Sequence, residues 1–449
     1  MITSLSKQTK TVVSLGFTLF FSFTAQYSAT AQTVGTVQQD VAEQQQTSLD
    51  DEWSESFDDE WHEQAESPWQ LTGFSEYAFG GFTQQKTLNT NLSLNELRIQ
   101  QEVNYSSDDF VFSGTGFVIY DDVLSSADAR FRELQLSFSA TNDIDINLGR
   151  QIITWGTGDY LFLNDLFAKD WQSFFSGRHD DYLKAPNDAI RVTSYFNQWS
   201  VDAVFIPEFT ANDFLTGERF SFYSPQTGSN IAPASKLMVS ETNQSQYALR
   251  FARQYGSSDI AFYAYKGFWN DPVGVYADTS KGIFFPKLNV VGASVITPVG
   301  KGIFNMEAAF YNSGAYQDNQ QGIVPENQVR FLMGYQQELA KNLTASLQYY
   351  LEHNSHYRLE SVTANSQNRH LVTARFTQTS NQQKLNSSLF IFYSPTDNDG
   401  YFRPSISYRV NDTFQYSFGG NIFWGRNNHT FFGQHQENTN LWLRMRINY

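Results

Sequence analysis

The final ten residues read Asn440-Leu441-Trp442-Leu443-Arg444-Met445-Arg446-Ile447-Asn448-Tyr449. Leu441, Leu443, Met445, Ile447 and Tyr449 fall on one face of an extended chain, and Asn440, Trp442, Arg444, Arg446 and Asn448 on the other. Alternation of this kind marks a strand whose two faces meet different solvents. Working back, Leu97, Ile99, Val103 and Tyr105 alternate with Glu96, Arg98, Gln100, Glu102 and Asn104, broken only by Gln101. Val329, Phe331, Met333 and Tyr335 alternate with Arg330, Gly334, Gln336 and Glu338. Leu343, Ala345, Leu347, Tyr349 and Leu351 do so with Thr344, Ser346, Gln348, Tyr350 and Glu352.

One such segment also fits a half-buried strand of a soluble sheet. Here about 18 recur after Trp69, and their connections alternate between short and long. Short connections fall at 106–109, 141–143, 197–198, 256–258, 298–301, 340–342, 379–384 and 411–412. Longer ones fall at 154–187, 207–245, 269–286, 312–327, 354–368 and 425–439. The predicted fold is therefore all-β: a transmembrane antiparallel β-barrel of about 18 strands (range 16–18). An even strand number leaves both termini on the periplasmic side, a parity that a soluble sandwich has no reason to keep.

Composition agrees. The chain holds 40 Phe and 24 Tyr, an enrichment suited to the two aromatic girdles of an outer-membrane barrel, and no cysteine, which suits export through an oxidising periplasm. A net charge of -16 argues against a nucleic-acid partner. Lys7 and Lys10, an apolar run from Val12 to Phe23 and Ala29-Thr30-Ala31 have the design of a secretory signal over 1–31, with cleavage expected near Ala31/Gln32. That apolar run is short of the roughly 20 residues a spanning helix needs. Residues 32–67 carry eleven acidic residues and no Lys or Arg, which predicts an acidic disordered periplasmic tail. The barrel is expected over 68–449, in the outer membrane.

The polar strand faces line the lumen. By parity their basic members are Arg98, Arg191, Arg250, Arg330, Arg403, Arg409, Arg444 and Arg446, and their acidic members Glu96, Glu102, Glu133, Asp145, Asp202, Glu307, Glu338 and Glu352. Near-equal sets argue against a strong single-sign filter, and many members are expected to pair across strands. Ile144, Ile146 and Leu148 share parity with Arg150, so a β-bulge at Gly149 is predicted to turn Arg150 inward. Arg130 and Arg132 share parity with Leu134, Leu136 and Phe138 and are expected at lipid phosphates or solvent.

The connection 154–187 holds Trp155, Tyr160, Leu161, Phe162, Leu163, Leu166, Phe167, Trp171, Phe174 and Phe175, too many large apolar groups for a solvated loop. It is predicted to fold inward as the third extracellular loop, bringing Asp159, Asp165, Lys169, Asp170, Arg178, Asp180 and Lys184 near the solute path. A cap over the mouth or a lipid-touching hairpin is the other reading. The run Gly149-Arg150-Gln151, Trp155-Gly156 and Asn164-Asp165-Leu166 resembles a poorly characterised family of porin-like Gram-negative outer-membrane proteins. The resemblance implies a barrel and an inward loop. Some members are encoded beside resistance-nodulation-division transporters, which implies traffic in lipids or hydrophobic compounds.

The expected function is non-enzymatic passage or binding of small solutes, without cofactor or metal. Arg98, Glu102, Arg150, Asp159, Asp165, Lys169, Asp170, Arg191, Arg250, Arg330, Arg444 and Arg446 are the candidate channel-lining or constriction residues. His353 and His356 lack metal-site spacing, and His370, with Thr373 and Ser387 nearby, gives a hydrolase no nucleophile arrangement. An outer-membrane partner of a periplasmic lipid or efflux system is the alternative function, and an outer-membrane hydrolase the third. The repeat Asp50-Asp51-Glu52-Trp53 and Asp58-Asp59-Glu60-Trp61 makes Trp53, Phe57 and Trp61 candidate anchors for a periplasmic partner, against a reading in which the acidic tail only keeps the chain soluble. The terminal strand is the expected signal to the barrel-assembly machinery.

Overall fold

The computed structural model describes residues 67–224, 227–233, 238–313, 322–355 and 366–449. The signal segment, the acidic tail with Trp53, Phe57 and Trp61, and His356 lie outside them. The chain forms a closed antiparallel barrel of 18 strands. In order they are β1 (Trp69–Phe82), β2 (Leu92–Ser106), β3 (Val111–Asp121), β4 (Ser126–Thr141), β5 (Ile144–Gln151) and β6 (Asn187–Phe196). There follow β7 (Trp199–Ile206), β8 (Gln246–Tyr255), β9 (Ser258–Phe268), β10 (Lys287–Val299), β11 (Gly302–Asn312) and β12 (Gln328–Ala340). The last six are β13 (Leu343–Asn354), β14 (Asn368–Ser380), β15 (Leu385–Ser394), β16 (Asp399–Arg409), β17 (Phe414–Gly425) and β18 (Asn440–Asn448).

Each strand pairs with its sequence neighbours, and β1 closes the ring on β18 with Phe74 opposite Asn448 and Phe82 opposite Asn440. The inner hairpins are tight because their residues take left-handed backbone: Asn197 and Asn342, and Gly256 and Gly300, all have φ between +53° and +60°. Outer connections are long, except for four-residue turns at 122–125 and 395–398. By loop length the tight end faces the periplasm. Outward side chains form an aliphatic belt that includes Leu97, Ile99, Leu249, Val291, Leu347 and Leu443. It lies between exposed aromatics at the tight end (Trp69, Phe196, Tyr255, Phe414) and at the loop end (Tyr77, Tyr120, Tyr247, Trp424).

Two register expectations are corrected. Gly149 carries no bulge: β5 pairs straight through it, with Gly149 opposite Gln135 and Arg150 opposite Leu134. Arg150 stays on the outer face and makes a two-pronged ion pair with Asp188 on β6, at 2.9 and 2.7 Å. Lying one residue from the outer end of its strand, the charge is neutralised by a partner rather than turned inward. The bulge is on β4 instead. Glu133 faces Thr115 and Phe131 faces Gly116, so Arg132 is the extra residue. It turns inward, with its guanidinium 4.9 Å from the Tyr182 ring.

The hydrophobic core is inside the barrel. Ile153, Leu163, Phe167, Phe174, Phe175 and Leu183 of the third outer loop (152–186) pack on wall residues such as Tyr311, Leu332, Phe390, Tyr401 and Phe423. A barrel this wide cannot fill its lumen with wall side chains alone. The loop does so, each large apolar side chain contributing roughly 1.5–3 kcal/mol.

Closure ends on Tyr449, which exchanges backbone hydrogen bonds of 2.9 and 3.0 Å with Gly73 and lays its ring where a Cβ of residue 73 would sit. Deleting Tyr449 is expected to lower the amount of heat-modifiable, folded barrel in the outer membrane. Unchanged levels would show that the last ring is dispensable for closure.

Candidate functional site

The site is the boundary between the third outer loop and the inner wall. Gly156, at φ +83°, reverses the chain so that the N–H groups of Thr157 and Gly158 both donate to Glu307 Oε1 of β11, the second at 3.0 Å. Asn164 Nδ2 donates to Glu307 Oε2 at 2.8 Å. Glu307 is 1 % exposed, so a buried carboxylate is satisfied by donors of the loop. Trp155 stacks edge-on against Phe167 with centroids 5.0 Å apart.

Beyond that turn the loop is tied to successive strands. The Asp159 carboxylate accepts from Ser346 Oγ on β13 at 3.0 Å and lies 3.3 Å from Arg375 Nη1 on β14. Tyr160 packs between Phe174 and Phe390, with centroids at 5.0 and 4.7 Å, and its hydroxyl donates to Asp180. Asp180 is ion-paired with Arg403 of β16. The carbonyl of Phe175 accepts from Asn421 of β17 and Asn440 of β18 at 2.9 and 3.0 Å. Gly177, in the left-handed region at φ +91°, ends helix α1 (Trp171–Ser176) where any Cβ would collide with the Trp442 indole. Arg178 pairs with Glu96 of β2, and Tyr182 Oη donates to Gln100 at 2.7 Å.

Around the loop's second helical turn, Asp180–Leu183, stands a group of arginines. Arg98 lies 4.0 Å over the Tyr182 ring, with Arg132 over the same ring. Arg403 lies 4.6 Å over Phe174. Arg446 is 2.8 Å from Glu76, and Arg444 is 3.8 Å from the same carboxylate. Glu76 stands in register with Arg98 on β2 and Arg446 on β18. Five guanidiniums thus share Glu76 and Asp180, with Glu133 and Asp181 also beside Arg132 and Glu96 beside Arg98. Arg98 Nη1, Arg403 Nε and Arg444 Nε are buried without a hydrogen-bond partner. Elsewhere on the wall, Arg191 and Arg250 share Asp202 at 2.8 and 3.2 Å, each keeping about a third of its side chain exposed.

The remaining candidates divide by environment. Asp165 and Lys169 form a fully buried ion pair of 2.9 Å inside the loop, so they brace it rather than face a path. Asp170 caps α1. Glu102 accepts from Gln100 Nε2 at 2.9 Å, and Arg330 lies over Tyr311 at 4.0 Å and 3.6 Å from Glu352. Arg150 is on the outer face. His370 also faces outward, bonded to Tyr349 at 2.7 Å, whereas Thr373 faces the lumen. Arg132 and Arg219 escaped sequence reasoning. A bulge inverts the parity of the first, and the second lies in a loop without periodicity.

No protein-family model matches the chain, and no curated protein matches it in sequence. Solved structures do match. OccAB3 of Acinetobacter baumannii aligns with a TM-score of 0.52 at 10% identity, over 85% of this chain and 99% of that one. OccAB4 of the same organism gives 0.52 at 9%, over 85% and 97%. OccK5 (OpdH) of Pseudomonas aeruginosa gives 0.50 at 9%, over 85% and 97%. The likeness is one of fold, the 18-stranded outer-membrane porin barrel.

Replacing Glu307 with Ala strands the N–H groups of Thr157 and Gly158 and leaves Asn164 Nδ2 only the Ala293 carbonyl at 3.4 Å, at a cost of about 1–3 kcal/mol for each donor left buried and unpaired. The barrel is expected to stay heat-modifiable while loop 152–186 becomes sensitive to protease. Wild-type resistance would show that the anchor is redundant. A second expectation concerns pH. Burial and the neighbouring Asp170 carboxylate push Asp213 up to about 6, against the opposing pull of Arg178, Arg130 and Gln172. A raised carboxyl stabilises its folded surroundings at low pH, and that contribution is lost as pH rises through about 6. The amides of Trp171 and Gln172, which donate to the Asp213 carbonyl, should exchange faster, relative to intrinsic rates, at pH 7.5 than at pH 5. Asp213→Asn should flatten the difference, and a pH-independent ratio in the wild type would refute it.

Proposed function

We propose that this chain is a porin-like outer-membrane channel that passes or binds small solutes without covalent chemistry, and that it favours anions. The observation that carries this reading is the clustering of guanidiniums at the loop-wall boundary, where three buried arginines each keep an N–H without a partner. Those donors are closed to solvent while the loop is seated, and a carboxylate or phosphate that reached them as the loop boundary parted would offer the oxygens they lack. One anion about 4 Å from one guanidinium gains roughly 4 kcal/mol at an effective dielectric near 20. Glu76 and Asp180 already neutralise part of the cluster, which keeps such binding weak enough for release, as conduction requires. Ring closure brings the arginines of β2, β16 and β18 into one sector, beside the carboxylates that pair with them.

Purified protein in planar bilayers is expected to give stepwise conductance, with a reversal potential in a KCl gradient that favours chloride. Arg98→Gln combined with Arg444→Gln should move that potential toward potassium without loss of heat-modifiability. Absence of conductance defeats the channel reading. Conductance with an unmoved potential defeats the anion preference alone.

A further inference from the structure

The fourth outer loop, 207–245, leaves the wall at β7 and returns at β8, yet the stretch from Gly217 to Ser224 is held on the far side of the mouth. Ser221 N and Oγ both donate to Asn438 Oδ1 at 3.1 Å, and Asn438 Nδ2 donates back to the Ser221 carbonyl at 2.8 Å. Asn438 belongs to the connection between β17 and β18. In a ring of 18, β7 and β17 stand eight places apart by the shorter way, close to a diameter. The loop therefore crosses the opening.

Its far end is fastened by charge. Arg219, 1 % exposed, donates to the Ser93 carbonyl at 2.7 Å, lies 3.2 Å from Glu96 Oε1, and is ion-paired with Asp121 of β3. The same two carboxylates also hold Arg178 of the third loop, which is paired with Glu96 and lies 3.6 Å from Asp121. Phe220 is buried in the luminal core and meets Phe82 edge-on at 5.9 Å. Among four buried, mutually neutral groups, partial withdrawal of one leaves a charge uncompensated, which favours two discrete positions over a continuum. Arg178 stays with the wall carboxylates when Arg219 departs, so one uncompensated charge is left behind and not two.

We propose that the segment 207–224 is a strap across the outer mouth, opened when Arg219 leaves Glu96 and Asp121, and that its seating controls solute entry. The proposal rests on the channel reading above, since a strap can gate only a path that conducts.

The chain contains no cysteine, so Ser221→Cys with Asn438→Cys in the full-length protein offers a single disulfide. Oxidation is expected to cut bilayer conductance about tenfold, and reductant to restore it. A second measurement needs no current: Ser221→Cys alone should react slowly with a membrane-impermeant maleimide, and about tenfold faster once Arg219→Gln is added. Equal currents before and after reduction in a conducting double variant shown to be cross-linked overturn the strap and leave the channel reading intact. If no variant conducts, the channel reading fails, and equal maleimide rates with and without Arg219→Gln overturn the strap by themselves.

Discussion

Within a bilayer, no water is available to an unpaired backbone N–H or C=O, so a spanning sheet has to close on itself. In this chain closure is made by β1 and β18, and everything else follows from the ring it creates. A ring of 18 strands is wide enough that wall side chains leave a void, and a void in protein forfeits both transfer free energy and packing. The third outer loop fills it with aromatic groups. Its own polar backbone is then buried and has to be satisfied in turn, which is what Glu307, Asn421 and Asn440 do. The inward fold of this loop is therefore a structural necessity, whatever else it does.

Closure also decides the electrostatics. Arg98 and Arg444 stand near opposite ends of the sequence but only one strand apart in the ring, with Glu76 of β1 between them. Charges far apart along the chain meet when arranged around it, and single acidic groups are shared by pairs of arginines, as at Asp202 and Glu76. Carboxylates held this way raise the local density of guanidinium without letting it repel itself out of the wall.

Much of this was legible in the sequence because a barrel strand declares itself by period. Leu441 to Tyr449 pointed outward and Arg444 and Arg446 inward as alternation required, and the alternation of short and long connections carried the even strand number. Parity fails where the backbone departs from it. One extra residue on β4 brought Arg132 into the lumen, and a cross-strand partner, Asp188, let Arg150 remain outside where a bulge had been expected. Loop residues have no period at all. The apolar content of 154–187 announced that it must be buried, but whether Asp165 and Lys169 would face solute or one another depends on distances that no pattern encodes. Arg219 gave no signal, being a single basic residue in a loop without period, with partners as far back as Ser93, Glu96 and Asp121.

The anchoring of the third loop has a consequence for biogenesis. Leu163 meets Tyr311, Phe175 meets Asn421 and Asn440, and Thr157 meets Glu307, so most of what receives the loop is synthesised after it. Contacts of such long sequence separation form late. Until β11 to β18 are in place, Phe167, Phe174 and Phe175 have nowhere to go. A chain in transit thus carries its future core as an exposed aromatic cluster, which has to be kept from aggregating until the later strands are there to receive it.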